Sequence, residues 1–259
     1  MLYYQMTGFM EGDSPTDQGR ITLPKHEDAA LFLDFDGTLV EIADRPDGIT
    51  VPERITTMLK RAQDRLDGRV ALVSGRSVSD LEAFLPDFDG PLIGAHGAER
   101  RIEGTTEHTQ DFDLGKIATL QKLVEDYASL QSGFLVETKP TGVVLHYRQA
   151  QEHGALALHF MESLAEAADG FRLQPALCAY EIKPDSVGKD IALSDLLETA
   201  AFKGKTPIYA GDDLTDEPPL ELVKSLGGTA IKIGGRESVA EYGLETPEML
   251  LRLLEKWLA

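Results

Sequence analysis

The sequence predicts an α/β fold with a Rossmann-like, doubly wound parallel sheet. Three short apolar runs carry that expectation: Ala29-Ala30-Leu31-Phe32-Leu33, Val70-Ala71-Leu72-Val73 and Pro207-Ile208-Tyr209-Ala210. Continuous apolar runs of this length suit strands buried on both faces, as in parallel sheets. Helical periodicity over 52–66, 77–85, 189–201 and 216–226 supplies the alternation of strand and helix that such a sheet needs. Each run also closes on polar residues: Asp34, then Ser74-Gly75-Arg76, then Gly211-Asp212-Asp213. In open α/β sheets ligands bind beyond the carboxyl ends of the strands, so the chemistry is expected there.

The middle of the chain has another rhythm. A helix is expected over 115–130, then strands at 134–138 and 142–148 joined by a Lys139-Pro140-Thr141-Gly142 turn. A helix over 152–168 precedes strands near 171–174 and 177–183. Two helix-strand-strand units of this kind make a small antiparallel sheet with helices on one side, an α+β insert. Strand alternation places His146 and Arg148 on one face against Leu145 and Tyr147 on the other, and sets Glu181 and Lys183 opposite Tyr180 and Ile182. The expected organisation is a loose head over 1–27, a core from 28–104 and 185–259, and an inserted cap over 105–184.

Composition narrows the function classes. With 44 acidic against 25 basic residues the formal net charge is −19, which repels nucleic acid and anionic membranes. No apolar stretch approaches the roughly 18 residues that span a bilayer, and no secretory signal is evident at the N-terminus. The single cysteine, Cys178, allows no internal disulfide, so a cytoplasmic protein is expected. An anionic substrate would need local cations against this global field.

The acidic strand ends supply a cation site. In Asp34-Phe35-Asp36-Gly37-Thr38-Leu39 two carboxylates stand two residues apart just past a buried strand, and Gly37 lets the chain turn. The buried strand before it and Thr-Leu after it do not suit a calcium loop. Gly211-Asp212-Asp213-Leu214-Thr215-Asp216-Glu217 gathers four more carboxylates, whose mutual repulsion a hard divalent ion would relieve. Asp216 and Glu217 could instead decorate a helix N-terminus. Magnesium is the expected ion, because it shares its shell with phosphate oxygens and water. Ser74 could donate to a phosphoryl oxygen and Lys189 could neutralise its charge; alone, each would more often be a helix cap and a solvated surface charge.

Taken together, these stations resemble the haloacid dehalogenase superfamily of phosphotransferases. Gly94-Ala95-His96-Gly97-Ala98-Glu99, Leu145-His146-Tyr147-Arg148, Glu181-Ile182-Lys183-Pro184 and the Gly-Asp-Asp-Leu-Thr-Asp-Glu segment narrow the likeness to trehalose-6-phosphate phosphatases, over about residues 29 to 235. The resemblance implies Asp34 as nucleophile and metal ligand, and Asp36 as general acid and base with its main-chain carbonyl on the metal. It implies Asp212 as third ligand, with Asp213 and Asp216 behind it, and Ser74 and Lys189 on the phosphoryl group. Gly37, Thr38, Arg76, His146, Arg148, Glu181 and Lys183 would meet the substrate, a phosphorylated disaccharide; a monomer or weak dimer is expected. His96 either orders its own turn or approaches the ligand. The family often places glycine after its lysine, whereas here Gly188 precedes Lys189 and Asp190 follows; Pro218-Pro219 is a second departure. Another sugar phosphate, a phosphomutase reaction, or a silent sugar-phosphate sensor are the competing readings.

Overall fold

A computed structural model describes residues 21–42, 49–108, 113–139, 141–176 and 178–259. Most of the expected head, residues 1–20, lies outside the described residues, as do Pro140 of the expected turn and Leu177.

The predicted apolar runs form the centre of an eight-stranded sheet. Strand β1 (Ala29–Leu33) pairs in parallel with β2 (Val70–Val73) on one side and β10 (Thr206–Gly211) on the other. Beyond β10 lie β11 (Thr229–Ile233) and β12 (Tyr242–Leu244), both parallel. Beyond β2 lies β3 (Leu92–Gly94), also parallel, followed by the antiparallel strands β4 (Glu99–Ile102) and β5 (Thr105–His108). The resulting order is β12-β11-β10-β1-β2-β3-β4-β5. The β4–β5 hairpin belongs to this sheet, so residues 105–108, which the sequence reading put in the insert, pair with the core.

Burial on both faces explains the unbroken hydrophobicity of β1. Ala29, Leu31 and Leu33 pack on one side with α1 (Glu53–Arg65), α2 (Val78–Phe84) and α7 (Pro247–Trp257). Ala30 and Phe32 pack on the other with α5 (Lys189–Glu198) and α6 (Glu217–Ser225). Pro218 and Pro219 occupy the first turn of α6, where a missing N–H costs no helical hydrogen bond.

The chain between β5 and α5 builds a second sheet. Its elements are α3 (Leu114–Ala128), β6 (Leu135–Lys139), β7 (Gly142–His146), α4 (Gly154–Ala167), β8 (Phe171–Ala176) and β9 (Ala179–Pro184). All pairings are antiparallel, in the order β6-β7-β9-β8. Val143, Leu145 and Ile182 join Leu120, Val124, Ala157 and Met161 in one apolar cluster under the two helices, with Tyr147 and Tyr180 packed against it. The opposite face carries Glu137, His146, Glu181, Lys183 and Arg172. Pro175 sits on edge strand β8, where no ladder bond is lost. No helix among the described residues is long and apolar enough to cross a membrane.

Candidate active site

The parallel strands deliver the site because they end together. Asp34 directly follows β1, with its backbone N–H bonded to the Ala210 carbonyl of β10 at 3.0 Å. Ser74 directly follows β2, and Asp212 follows β10. These residues line one cavity of about 970 Å³ together with Asp36, Gly37, Gly75, Arg76, His96, Lys189 and Asp213.

Asp34, Asp212 and Asp216 each offer a carboxylate oxygen within 4.8 Å of the others. Gly37 makes this approach possible: it turns with φ of +74°, and a side chain there would overlap the Asp212 carboxylate. Gly211 plays the same part for Asp216.

One cation sits inside the cluster. Lys189, the first residue of α5, is 4% exposed and donates from Nζ to Asp34 Oδ1 at 2.8 Å and Asp216 Oδ1 at 2.7 Å. Asp216 also accepts from the Tyr209 hydroxyl at 2.6 Å and from the backbone N–H groups of Asp212 and Asp213 at 3.1 and 3.0 Å. Four donors occupy its two oxygens, which leaves it little capacity for a further ligand.

Electrostatics follow from this arithmetic. Burial works to raise Asp216, but Lys189 and the Tyr209 hydroxyl bring it below the ordinary carboxylate range. Burial, with Asp216 and Asp212 nearby, lifts Asp34 well above its usual value despite Lys189. Asp212 is pushed up to about 6 by burial and by Asp216 and Asp213. Lys189 is driven upward: burial opposes its charge, but Asp216 and Asp34 outweigh burial. Lys189 thus bonds two of the three carboxylates, Asp34 and Asp216, and burial with mutual repulsion leaves Asp34 and Asp212 the two that hold their protons most tightly. A hard divalent cation fits that donor set, and the oxygens of Asp34 and Asp212 could hold it.

Asp36 stands apart from the acidic cluster. Its carboxylate is gripped by Arg76, Nε to Oδ2 at 2.6 Å and Nη2 to Oδ1 at 2.8 Å. Ser74, 1% exposed, accepts from the Arg76 backbone N–H at 3.1 Å. His96 rests on Gly75, where a Cβ would come within 2.6 Å of the ring. Burial and the charges of Lys189, Lys183 and Lys139 depress its imidazole to about 3, so it is neutral. Thr38 is fully buried, is absent from the cavity wall, and has a hydroxyl with no partner.

The remaining expected substrate residues sit on the inserted sheet and do not line this cavity. His146 bonds Glu137 at 2.9 Å, Glu181 pairs with Lys139 at 3.2 Å, and Arg148 is exposed beyond the end of β7. Lys183 is 5% exposed and pushed down to about 8, mainly by burial. Arg172, on the polar face of the insert, reaches Asp190 and the Val187 carbonyl at the start of α5, so that face looks toward the core.

Two contributors escaped the sequence reading. Tyr209 looked like strand filling. Lys232, 3% exposed on β11, donates to the main-chain carbonyl of Asp212 and lies 3.8 Å from Glu217. A lysine inside the buried run Thr-Ala-Ile-Lys-Ile was the available signal.

The sequence profile of the family described as trehalose-phosphatase matches residues 32–242. The chain belongs to the trehalose-phosphatase family. It is accordingly a phosphatase. Trehalose-6-phosphate phosphatase of Escherichia coli (strain K12) is 37% identical over 219 residues, covering 83% of this chain and 81% of that protein. Among solved structures, Aspergillus fumigatus trehalose-6-phosphate phosphatase superposes with a TM-score of 0.72 at 22% identity, over 89% of this chain and 93% of that one. A haloacid dehalogenase-like hydrolase from B. subtilis superposes with a TM-score of 0.65 at 15% identity, over 87% and 98%. At these identities the two structures speak for the fold, which the trehalose-phosphatase family thus shares with haloacid dehalogenase-like hydrolases.

Proposed function

We propose that this phosphatase hydrolyses trehalose 6-phosphate to trehalose and inorganic phosphate, through an aspartyl-phosphate on Asp34, in the cytoplasm. The observation that carries the reading is the meeting of Asp34, Lys189 and Asp212 in a cavity that also holds Asp36 and Ser74.

Uncatalysed phosphate-monoester hydrolysis is slow enough that an enzyme must supply up to about 20 kcal/mol or more, so the work is divided. An Asp34 oxygen attacks phosphorus, forming a new P–O bond as the bond to the sugar oxygen breaks. Asp36, protonated before the step, gives that oxygen its proton, then takes one from the water that attacks the acyl phosphate and releases phosphate. Lys189 and the Ser74 hydroxyl hold the phosphoryl oxygens, and Asp216 with Tyr209 fixes the lysine. Mg²⁺, held by the carboxylates of Asp34 and Asp212 and the main-chain carbonyl of Asp36, would neutralise phosphoryl charge when bound. We assign Asp213 to the support of that ligand set.

The insert acts in this reading as a cap. Beyond its phosphate a disaccharide offers hydroxyls, so its recognition needs directional donors and acceptors. His146, Arg148, Glu181 and Lys183 provide both, and closure would keep water from the leaving group.

The test is phosphate release across a panel of sugar phosphates, with and without a chelator. Release should be fastest from trehalose 6-phosphate and should stop with chelation. Faster release from sucrose phosphate, a phosphoryl shift without release, or binding without turnover in magnesium would each replace this function with another.

A further inference from the structure

The departure at Asp190 has a partner, and the partner lies in the insert. We propose that Arg172, on β8, is a positioning residue that sets Lys189 by clamping the backbone on either side of it.

Arg172 donates from Nη2 and Nη1 to the two carboxylate oxygens of Asp190, at 2.9 and 3.1 Å. The same Nη2 donates to the Val187 carbonyl at 3.1 Å. The guanidinium thus bridges residues 187 and 190, with Gly188 and Lys189 between them. It lies directly on Gly188, where any side chain would collide with Arg172 and Asp190 together. Glycine is needed there for close approach, not for backbone angle, since its φ of −178° is ordinary extended chain.

The clamp is a strong one. Both side chains are mostly buried, at 30% and 18% exposed. Burial pushes Asp190 upward, yet Arg172 and the N–H groups of Asp190 and Ile191 hold it below the usual carboxylate range. A planar fork on a carboxylate fixes direction as well as distance.

Asp34 and Asp216 hold the Lys189 ammonium, but its four-carbon stem reaches both only from a suitably placed Cα. Fixing Val187 and Asp190 sets that Cα. Arg172 also stands opposite Lys183 in the β8–β9 register, which ties the same strand pair to the face assigned to sugar. The insert then acts on the phosphoryl step itself, including for substrates that carry no sugar.

This rests on the reading of Lys189 as the group that holds phosphate. The test compares the full-length chain with Arg172→Ala, Arg172→Lys, Asp190→Asn and the Ala/Asn double variant. The readouts are kcat and KM on p-nitrophenyl phosphate and trehalose 6-phosphate, inhibition by orthovanadate, and Tm. Arg172→Ala and Asp190→Asn should each lose about tenfold in kcat on both substrates and about tenfold in vanadate affinity, with sugar-phosphate KM within about twofold. The double variant should be no worse than either single one. Arg172→Lys should recover part of the loss, because a point charge cannot grip two oxygens. Unchanged kcat and vanadate inhibition in folded variants would overturn the proposal, as would a loss confined to sugar-phosphate KM. If Arg172→Ala does not fold, the nearly isosteric Asp190→Asn decides. A wild-type chain that hydrolyses neither substrate would instead remove the phosphatase reading.

Discussion

Arg76 and Asp36 form a two-point ion pair across forty residues of sequence, with 2.6 and 2.8 Å between their paired atoms. The guanidinium also lies 5.0 Å from the ring centroid of Phe84 and 6.0 Å from that of Phe35, which keep it in place. The proposed proton donor is therefore oriented by the residue that follows Ser74-Gly75.

If Arg76 serves proton transfer, its loss should matter most where the departing oxygen most needs a proton. Arg76→Ala should slow trehalose 6-phosphate turnover about tenfold more than that of p-nitrophenyl phosphate, whose phenolate leaves readily. Steady-state kcat on both substrates checks this. Equal losses would assign Arg76 to the phosphate instead.

Asp34→Asn should lower turnover by about a thousandfold or more while leaving far-UV circular dichroism unchanged, since the amide keeps the shape and removes the proposed nucleophile. Substantial residual activity in pure protein would refute the role given to Asp34.

The pH behaviour of Asp212 has opposite signs with and without metal. Its pKa near 6 lies above the ordinary carboxylate value of 3.8, so the folded chain binds this proton more tightly than the unfolded chain does. Without metal, Asp212 opposes folding above about pH 6, and the penalty fades as pH falls through 6 toward 3.8. In chelator at pH 7.5, Asp212→Asn should raise Tm by about 2–4 °C, on the order of 1 kcal/mol after solvent screening, and the gain should vanish near pH 4. If Mg²⁺ takes the Asp212 oxygens, proton and metal compete for them, and Mg²⁺ stabilisation of the wild type should weaken as pH falls below about 6. Melting curves with chelator and with magnesium at several pH values test both signs.

Lys183 carries a charge that is lost within reach of experiment. Burial lowers it from 10.5 to about 8, with Glu181 working the other way. If it meets the sugar as a cation, KM for trehalose 6-phosphate should be flat below pH 8 and rise above it, while KM for p-nitrophenyl phosphate does not follow. Lys183→Ala should raise the sugar-phosphate KM about tenfold or more and abolish the pH-dependent rise. A parallel change on both substrates would place Lys183 outside the sugar contact.

What the sequence disclosed was governed by burial. Strands β1, β2 and β10 are continuous apolar runs because both faces are covered, and the polar residues that close them, Asp34, Ser74 and Asp212, line one cavity. The alternation of β7 and β9 separated Leu145 and Ile182 from His146 and Lys183 because helices cover one face with apolar side chains while the other turns polar groups toward the core. Strands β3 and β12, at three residues each, are too short to show a period. The β4–β5 hairpin, Glu-Arg-Arg-Ile and Thr-Thr-Glu-His, is an edge with little apolar signature, so its second strand reads as the start of the insert. Side-chain pairs between distant polar residues were illegible for another reason. Arg76 and Asp36, or Arg172 and Asp190, are each ordinary surface types, and only the folded sheet brings them together. Asp190 was visible as a departure, but nothing in a linear reading pointed to residue 172.

The order of the central strands bears on how the polypeptide is made. β1 is complete at residue 33, yet its neighbour β10 begins at residue 206. At about 5–20 residues per second, a ribosome leaves that flank open for on the order of ten seconds or more. Through that interval Ala-Ala-Leu-Phe-Leu presents an unpaired apolar edge, the kind that recruits other chains. Nascent fragments released before residue 206 should accordingly aggregate and depend on chaperones, whereas the small sheet, with both its helices already synthesised, can settle first.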